Sequence, residues 1–296
     1  MTHLNFTKMH GIGNDFIVID CINQSFKMTT KIARSIADRH FGIGADQILL
    51  IEKTALPNAD FKYRIFNSDG NEVENCGNGA RCFVKFIHQK KISNKNPIVA
   101  EIKNGLISLN ENSDGSVTVN MGKPSFEYKS LPFNTDNLTY TTKSLEKIWA
   151  IETENNGIVL LSVLSISNPH AVIEVDNINT DLVSIIGPVI ESHNRFPNKV
   201  NVGFMQIKDS NHILLRVYER GAGETLACGT GACAAVVSGI RRGLLHSPVN
   251  VQTKGGSISI NWDGGDIKMT GPASFVFDGK IELDKLLRES VATTLL

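Results

Sequence analysis

Two stretches half a chain apart carry one pattern, and that pattern constrains the fold more than anything else in the 296 residues. Arg64-Ile65-Phe66, Glu72 and Cys76-Gly77-Asn78-Gly79-Ala80 recur as Arg216-Val217-Tyr218, Glu224 and Cys228-Gly229-Thr230-Gly231-Ala232, at a constant offset of 152 (216 − 64, 224 − 72, 228 − 76). Met121 and Pro124 recur as Met269 and Pro272 at 148 (269 − 121, 272 − 124), and Asn14 and Gln47 as Asn168 and Asn201 at 154 (168 − 14, 201 − 47). Loop insertions and deletions in a duplicated domain leave such a drift. A period this long implies two copies of one domain rather than a solenoid.

Both halves read in the same order. Phe16–Ile19 and 171–175 predict strands, and Thr30–His40 and Asp181–Asn194 predict helices with Thr or Asp caps, the second containing Pro188. Strands 48–51 and 63–66 follow in the first half, 202–207 and 213–218 in the second. A helix then starts at each cysteine block, from Gly79 to about Lys91 and from Gly231 to about Arg242, ending in a basic pair that suits a helix C-terminus. Asn104-Gly105 and Asp114-Gly115 are hairpin signals. The reading is an α/β chain of the α+β type: two similar domains, residues 1–124 and 125–276, with 277–296 free to pack back on the first.

Lys+Arg and Asp+Glu both number 30, so no net field favours nucleic acid or an anionic membrane. The longest apolar run, near Gly157–Ile166, is too short and too interrupted to span a bilayer, and the N-terminus lacks a basic-then-apolar leader. Five cysteines in such a chain suit free thiols in a reducing cytoplasm.

A glycine-rich turn leading into a helix brings several N–H groups to bear on one small volume, and with the helix dipole that makes a pocket for a carboxylate. The same field favours thiolate at a cysteine on its edge. Two such cysteines facing one carbon make an acid–base pair in which one removes a proton and the other delivers one to the opposite face, a pattern that inverts a stereocentre. No lysine context argues for pyridoxal phosphate. Cys76/Cys82 and Cys228/Cys233 are spaced six and five apart (82 − 76, 233 − 228), unlike a zinc knuckle, so no metal is expected. Cys21, Cys82 and Cys233 read as small hydrophobes in strands or on apolar helix faces. Glu72 and Glu224 read equally as site groups or as structural carboxylates, and His170 as a turn histidine or a site residue.

Met9-His10-Gly11-Ile12-Gly13-Asn14-Asp15-Phe16, Asn67-Ser68-Asp69-Gly70, Cys76–Cys82, Asn168-Pro169-His170 and 219–231 together resemble the diaminopimelate epimerase family, across roughly residues 4–278. The resemblance implies conversion of LL-diaminopimelate to the meso form without pyridoxal phosphate or metal, in lysine and peptidoglycan precursor synthesis. It implies a homodimer of two α/β domains per chain, each a mixed, largely antiparallel sheet wrapped around a central helix, with the active site in the cleft between them. It makes Cys76 and Cys228 the catalytic bases, gives the reacting carboxylate to Gly77, Asn78, Gly229 and Thr230, and gives the remaining substrate groups to Asn14, Gln47, Asn67, Asn168, Asn201, Glu219 and Arg220. His170 and Glu219 would also tune the thiols. Such a set suits a substrate with two zwitterionic ends, since Arg220 can fork onto a carboxylate and amides can accept from ammonium.

Two segments depart from the family's pattern: Val200 and Gly203 flank Asn201-Val202 where Thr and Glu are usual, and Ser167 precedes Asn168 where Gly is common. The first leaves the support of Asn201 open. Proline racemase and hydroxyproline epimerase look similar around the cysteines, but a small ring has no need of Asn67, Asn201 and Arg220. A binding protein that lost its chemistry would have replaced a cysteine. A zinc or redox module is the remaining alternative. Close thiols also imply that oxidation stops turnover.

Overall fold

The computed structural model describes residues 3–73, 76–128 and 131–292. It divides into two compact units, Met1–Val119 with Gly271–Leu296, and Asn120–Thr270. Residues 129–130 of the inter-domain stretch and 293–296 of the C-terminal segment lie outside the described residues. The helices are α1 (Thr30–Ala37), α2 (Gly77–Gln89), α3 (Leu182–Glu191), α4 (Gly229–Arg241) and α5 (Leu283–Ala292).

In the first unit, strand His3–Gly11 pairs antiparallel with Asn14–Asp20, which pairs parallel with Gln47–Glu52. Phe61–Asn67 follows antiparallel, with Glu72–Val73 beside one part of it and Ile98–Ile102 parallel to another, and a meander through Gly105–Glu111 and Val117–Asn120 completes the run. The second unit repeats this order and every pairing direction: Gly157–Ser165, Pro169–Glu174, Asn201–Asp209, His212–Glu219, Gly223–Thr225, Val249–Thr253, Gly256–Asn261 and Lys268–Gly271. Each parallel pair needs a crossover, and a helix supplies it: α1 or α3 for the first, α2 or α4 for the second. The duplication therefore holds strand by strand.

The units differ in how their first strand is flanked. In the second unit the preceding strand, Glu146–Thr153, does it. In the first unit the C-terminal strand Ser274–Glu282 pairs antiparallel with His3–Gly11, and Leu286 and Leu287 of α5 pack on the core around Leu4, Ile36 and Phe66. Arg81, fully buried on α2, donates from Nε to the Pro272 carbonyl at 3.0 Å and ties this segment in.

α2 and α4 are buried on nearly all sides, from Gly77 to Ile87 and from Gly229 to Gly239. Apolar residues all round mark a helix enclosed by its sheet, and both touch strands on several sides. Burial of Phe83, Val84 and Ile87 stabilises by about 1.5–3 kcal/mol each. The opposite sheet faces are covered by α1 and α5 in one unit and by α3 in the other.

Several expected boundaries move for local reasons. α1 stops at Ala37, because the Asp38 carboxylate accepts from the N–H groups of His40 and Phe41 at 2.7 and 2.8 Å and turns the chain out of the helix. α2 and α4 begin two residues earlier than expected, at Gly77 and Gly229, with the cysteines as N-caps. The glycines there are required by packing rather than by an unusual backbone. A Cβ on Gly79 would lie 2.4 Å from the Tyr63 hydroxyl, and one on Gly231 would lie 3.0 Å from Val217. Cys21 sits in the turn after Asn14–Asp20 rather than in a strand.

Candidate functional site

In each unit the ends of three strands meet the start of the enclosed helix, and the predicted residues gather there. In the first unit Asn14 opens its strand, Gln47 opens the next, and Asn67 closes the third directly opposite Gln47. Gln47 Nε2 donates to Asn67 Oδ1 at 2.8 Å. Cys76, half-buried, caps α2 with extended backbone and no side-chain cap bond. Its thiol donates to Asn14 Oδ1 at 3.6 Å, and Asn78 Nδ2 donates to the same oxygen at 3.3 Å. The Cys76 carbonyl accepts from Tyr63 Oη at 3.3 Å and from Ala80 N at 2.8 Å. As the first residues of the helix, Gly77 and Asn78 have N–H groups without an intrahelical acceptor, which makes the turn an anion site.

The second unit builds the same arrangement from different groups. Asn168 and His170 stand at the head of one strand, Asn201 pairs in register with His170, and Glu219 ends the antiparallel neighbour. Glu219 is thus the counterpart of Asn67, again 152 residues on (219 − 67). Cys228 caps α4 and is buried, its sulfur accepting from Gly231 N at 3.4 Å and lying 3.5 Å from Thr230 Oγ1. Asn168 Nδ2 donates to Thr230 Oγ1 at 3.4 Å, and its Oδ1 meets His170 Nε2 at 2.9 Å. Glu219 accepts from Thr225 Oγ1 at 2.5 Å. The exposed Arg220 donates its backbone N–H to Asn201 Oδ1 at 3.0 Å and its guanidinium to the Asn198 carbonyl at 3.4 Å.

Electrostatics correct one expectation. The helix field was expected to favour thiolate at both cysteines, but burial pushes the Cys228 thiol well above its ordinary range and the Glu219 carboxylate adds to the push. The Thr230 hydroxyl and the Gly231 N–H act the other way and do not win. Cys228 rests as a thiol. Burial, with the Arg220 charge, lowers His170 to about 3, so it is a neutral imidazole. Burial also raises Cys82, and raises Cys21 to about 12, as suits inert thiols. All five cysteines are outside disulfides, and among the described residues no three His, Cys, Asp or Glu side chains converge as a metal site needs.

With the geometry repeated on both sides, the comparisons are decisive. The family model described as diaminopimelate epimerase matches residues 6–127 and 162–276. The chain belongs to the diaminopimelate epimerase family. It is 54% identical to the diaminopimelate epimerase of Cupriavidus necator over 285 residues, covering 96% of this chain and 99% of that one, and 54% identical to that of Ralstonia pickettii over 285 residues, covering 96% and 97%. Among solved structures, a probable proline racemase from Agrobacterium radiobacter superposes with a TM-score of 0.69 at 15% identity, covering 95% of this chain and 93% of that one. A hydroxyproline epimerase from Agrobacterium vitis gives 0.66 at 15%, with the same coverage. These likenesses are of fold, which is the two-domain α+β architecture expected.

The family's pattern also places the departures. Asn201 does not depend on residue 200: its Nδ2 donates to the Pro169 carbonyl at 3.1 Å, its Oδ1 accepts from Arg220 N, and Val200 is a core residue. A Cβ on Gly203 would meet nothing nearer than 3.6 Å, so a larger residue fits there. Ser167 has φ 64, the left-handed region in which glycine is unstrained. Glu72 and Glu224 resolve as structural carboxylates. Each is forked by the arginine of its own repeat, Arg64 at 2.8 and 2.7 Å and Arg216 at 2.6 and 2.9 Å, which holds both carboxyls below their usual range.

Sequence reasoning passed over Glu191, a buried carboxylate on α3 that accepts from Gly221 N at 2.9 Å and holds the 219–221 loop. It also passed over Asp46 and Arg39, which flank Asn14.

Proposed function

We propose that this epimerase inverts one α-carbon of LL-2,6-diaminopimelate to give the meso form, with Cys76 and Cys228 as its acid–base pair. The observation that carries the reading is the repeated build: a cysteine capping an enclosed helix, with amide side chains at the adjoining strand ends, once in each half of a family member.

Because burial and Glu219 keep Cys228 protonated, Cys76 takes the α-proton and Cys228 delivers one to the other face. The carboxylate gathers charge as the carbanion forms. The N–H groups of Gly77, Asn78, Gly229 and Thr230 bind it more strongly then than in the ground state, and a single donor of that kind is worth about 3 kcal/mol. Asn14, Gln47, Asn67, Asn168, Asn201, Glu219 and Arg220 hold the ammonium groups and the distal carboxylate. Gln47 supports this: its Oε1 is buried with no hydrogen-bond partner among the described residues, an acceptor that suits an ammonium. Substrates lacking the distal end leave such groups unpaired and are rejected. The same reading makes the protein a cytoplasmic homodimer, which sedimentation of the reduced protein checks.

Proton NMR of LL-diaminopimelate in D2O with the reduced protein tests the function. Exchange of one α-proton with formation of the meso isomer, lost in Cys76→Ala and in Cys228→Ala, is expected. Exchange on proline or hydroxyproline instead would overturn the substrate.

A further inference from the structure

The Asp38–Gln47 segment carries charges that no step above uses. Lys8, Asp15, Arg39 and Asp46 form a closed network in the first unit. Lys8 Nζ and Arg39 both reach Asp15, at 2.5 Å and at 2.7 and 3.1 Å, and Arg39 Nη2 also reaches Asp46 Oδ1 at 2.7 Å. The two aspartates clasp each other's backbone, Asp15 N on Asp46 Oδ2 at 3.1 Å and Asp46 N on Asp15 Oδ1 at 2.9 Å. Gly44, at φ 80 against the Arg39 backbone, makes the turn that closes the network.

Asn14 stands at its end. Its Nδ2 donates to Asp46 Oδ2 at 2.9 Å. A carboxylate only accepts, so the amide has one orientation: nitrogen on Asp46, carbonyl oxygen on Cys76 and Asn78. The backbone leading into Asn14 is set as well, by a two-residue turn with Ile12 at φ 49 and Gly13 at φ 87. Within its own unit Cys76 is also faced by the Tyr63 hydroxyl and by Cys82 of α2. The second unit has no such device: 154 positions on from Arg39 and Asp46 stand His193 and Val200 (39 + 154, 46 + 154).

We propose that Asp46, held by Arg39, is a positioning residue that keeps the Asn14 carbonyl turned to the Cys76 sulfur. An acceptor there stabilises the thiol, the form Cys76 must hold once it has taken a proton. A flipped amide would present N–H groups and trap the thiolate. The inference rests on the reading of Cys76 as one of the two bases.

The test is the pH dependence of Cys76 alkylation by iodoacetamide in the reduced full-length protein, read by mass spectrometry of the Cys76 peptide, which needs no substrate. Asp46→Asn should lower the midpoint by about one unit, a roughly ten-fold rise in thiolate below it. Loss of the Asp46 charge alone would also lower it, so the measurement is repeated in an Asn14→Ala background, where less than half the shift should remain. Asp46→Glu keeps the charge but displaces the carboxylate by a methylene, and should lower the midpoint by a smaller amount. That arm stands even if Asp46→Asn fails to fold. An unchanged midpoint in Asp46→Asn, equal shifts in both backgrounds, or no shift in Asp46→Glu overturns the inference. An enzyme active on diaminopimelate with no such shift loses only this inference, whereas one inactive on it with the shift intact loses only the substrate.

Discussion

The two units share one run of strands with the same pairing directions, yet they hold their cysteines by opposite means. In the first, a network of full charges orients Asn14 from behind, and the half-buried Cys76 donates to the neutral Asn14 amide. In the second, a neutral buried histidine orients Asn168, and the full charge, Glu219, stands beside a buried Cys228. A duplicated backbone therefore supplies the symmetry that the proposed inversion at carbon needs, while the side chains break it and leave Cys228 as a thiol. Position 67 against 219 shows the divergence most directly, an amide in one copy and a carboxylate in the other.

Removing either sulfur tests the symmetric half of this comparison and carries the largest effect. Cys76→Ala and Cys228→Ala should each lower kcat by about 10³-fold or more, and the double variant should fall little further, because the pair acts as a unit. A single variant keeping a tenth of the activity would break the two-base reading. Next comes the charged network. Burial pushes the Asp15 carboxyl up, but Arg39, Lys8 and the Asp46 N–H outweigh it and hold it well below the usual carboxylate range. Asp15 therefore contributes stability that is present above its unfolded value of about 4 and lost as pH falls below it. Asp15→Ala should cost about 3 kcal/mol at neutral pH in denaturant unfolding, because it strands Lys8 and Arg39.

His170 sharpens the contrast in pH. Its native value of about 3 lies below the unfolded value of about 6.5, so between them the unfolded chain binds the extra proton and stability falls as pH drops. At pH 5 this costs about 2 kcal/mol relative to pH 8, and His170→Gln should flatten that part of the stability curve. An equally steep curve in the variant would place the titration elsewhere. Smaller again, Glu219→Gln should bring the Cys228 thiol down, seen as thiolate absorbance appearing at lower pH. If Cys228 does not move, burial alone sets it and Asn67/Glu219 is not where the copies diverge. The smallest effect is at Ser167. Ser167→Gly relieves a left-handed serine but frees the unfolded chain, for a net gain of about 0.5 kcal/mol in unfolding midpoint, where Asn14 has no equivalent serine to replace.

The duplication and the fold class were legible in the sequence, and so was the shared setting of Cys76 and Cys228 at the head of equivalent helices, because a glycine-flanked cysteine recurs at one spacing. So were the amides at 14, 168, 47 and 201, which keep one offset because they sit at equivalent strand ends. The roles of Glu72 and Glu224 were not. A carboxylate four residues before a cysteine reads as a site group until the arginine of the neighbouring strand is seen forked onto it. Asp46, Arg39 and Glu191 were invisible as positioning groups for the same reason: each acts through a contact that only the folded chain creates, Asp46 on Asn14, Arg39 on Asp15 and Asp46, and Glu191 on Gly221.

By itself the sequence determined which residues are repeated and which helices start at a cysteine. Only the tertiary structure decided the protonation of Cys228. A helix N-terminus favours thiolate wherever it occurs, but its effect is local and modest, whereas burial of Cys228 beside Glu219 removes the solvent a thiolate needs. Solvent access depends on what the whole unit packs around the sulfur, and no spacing of residues along the chain encodes it.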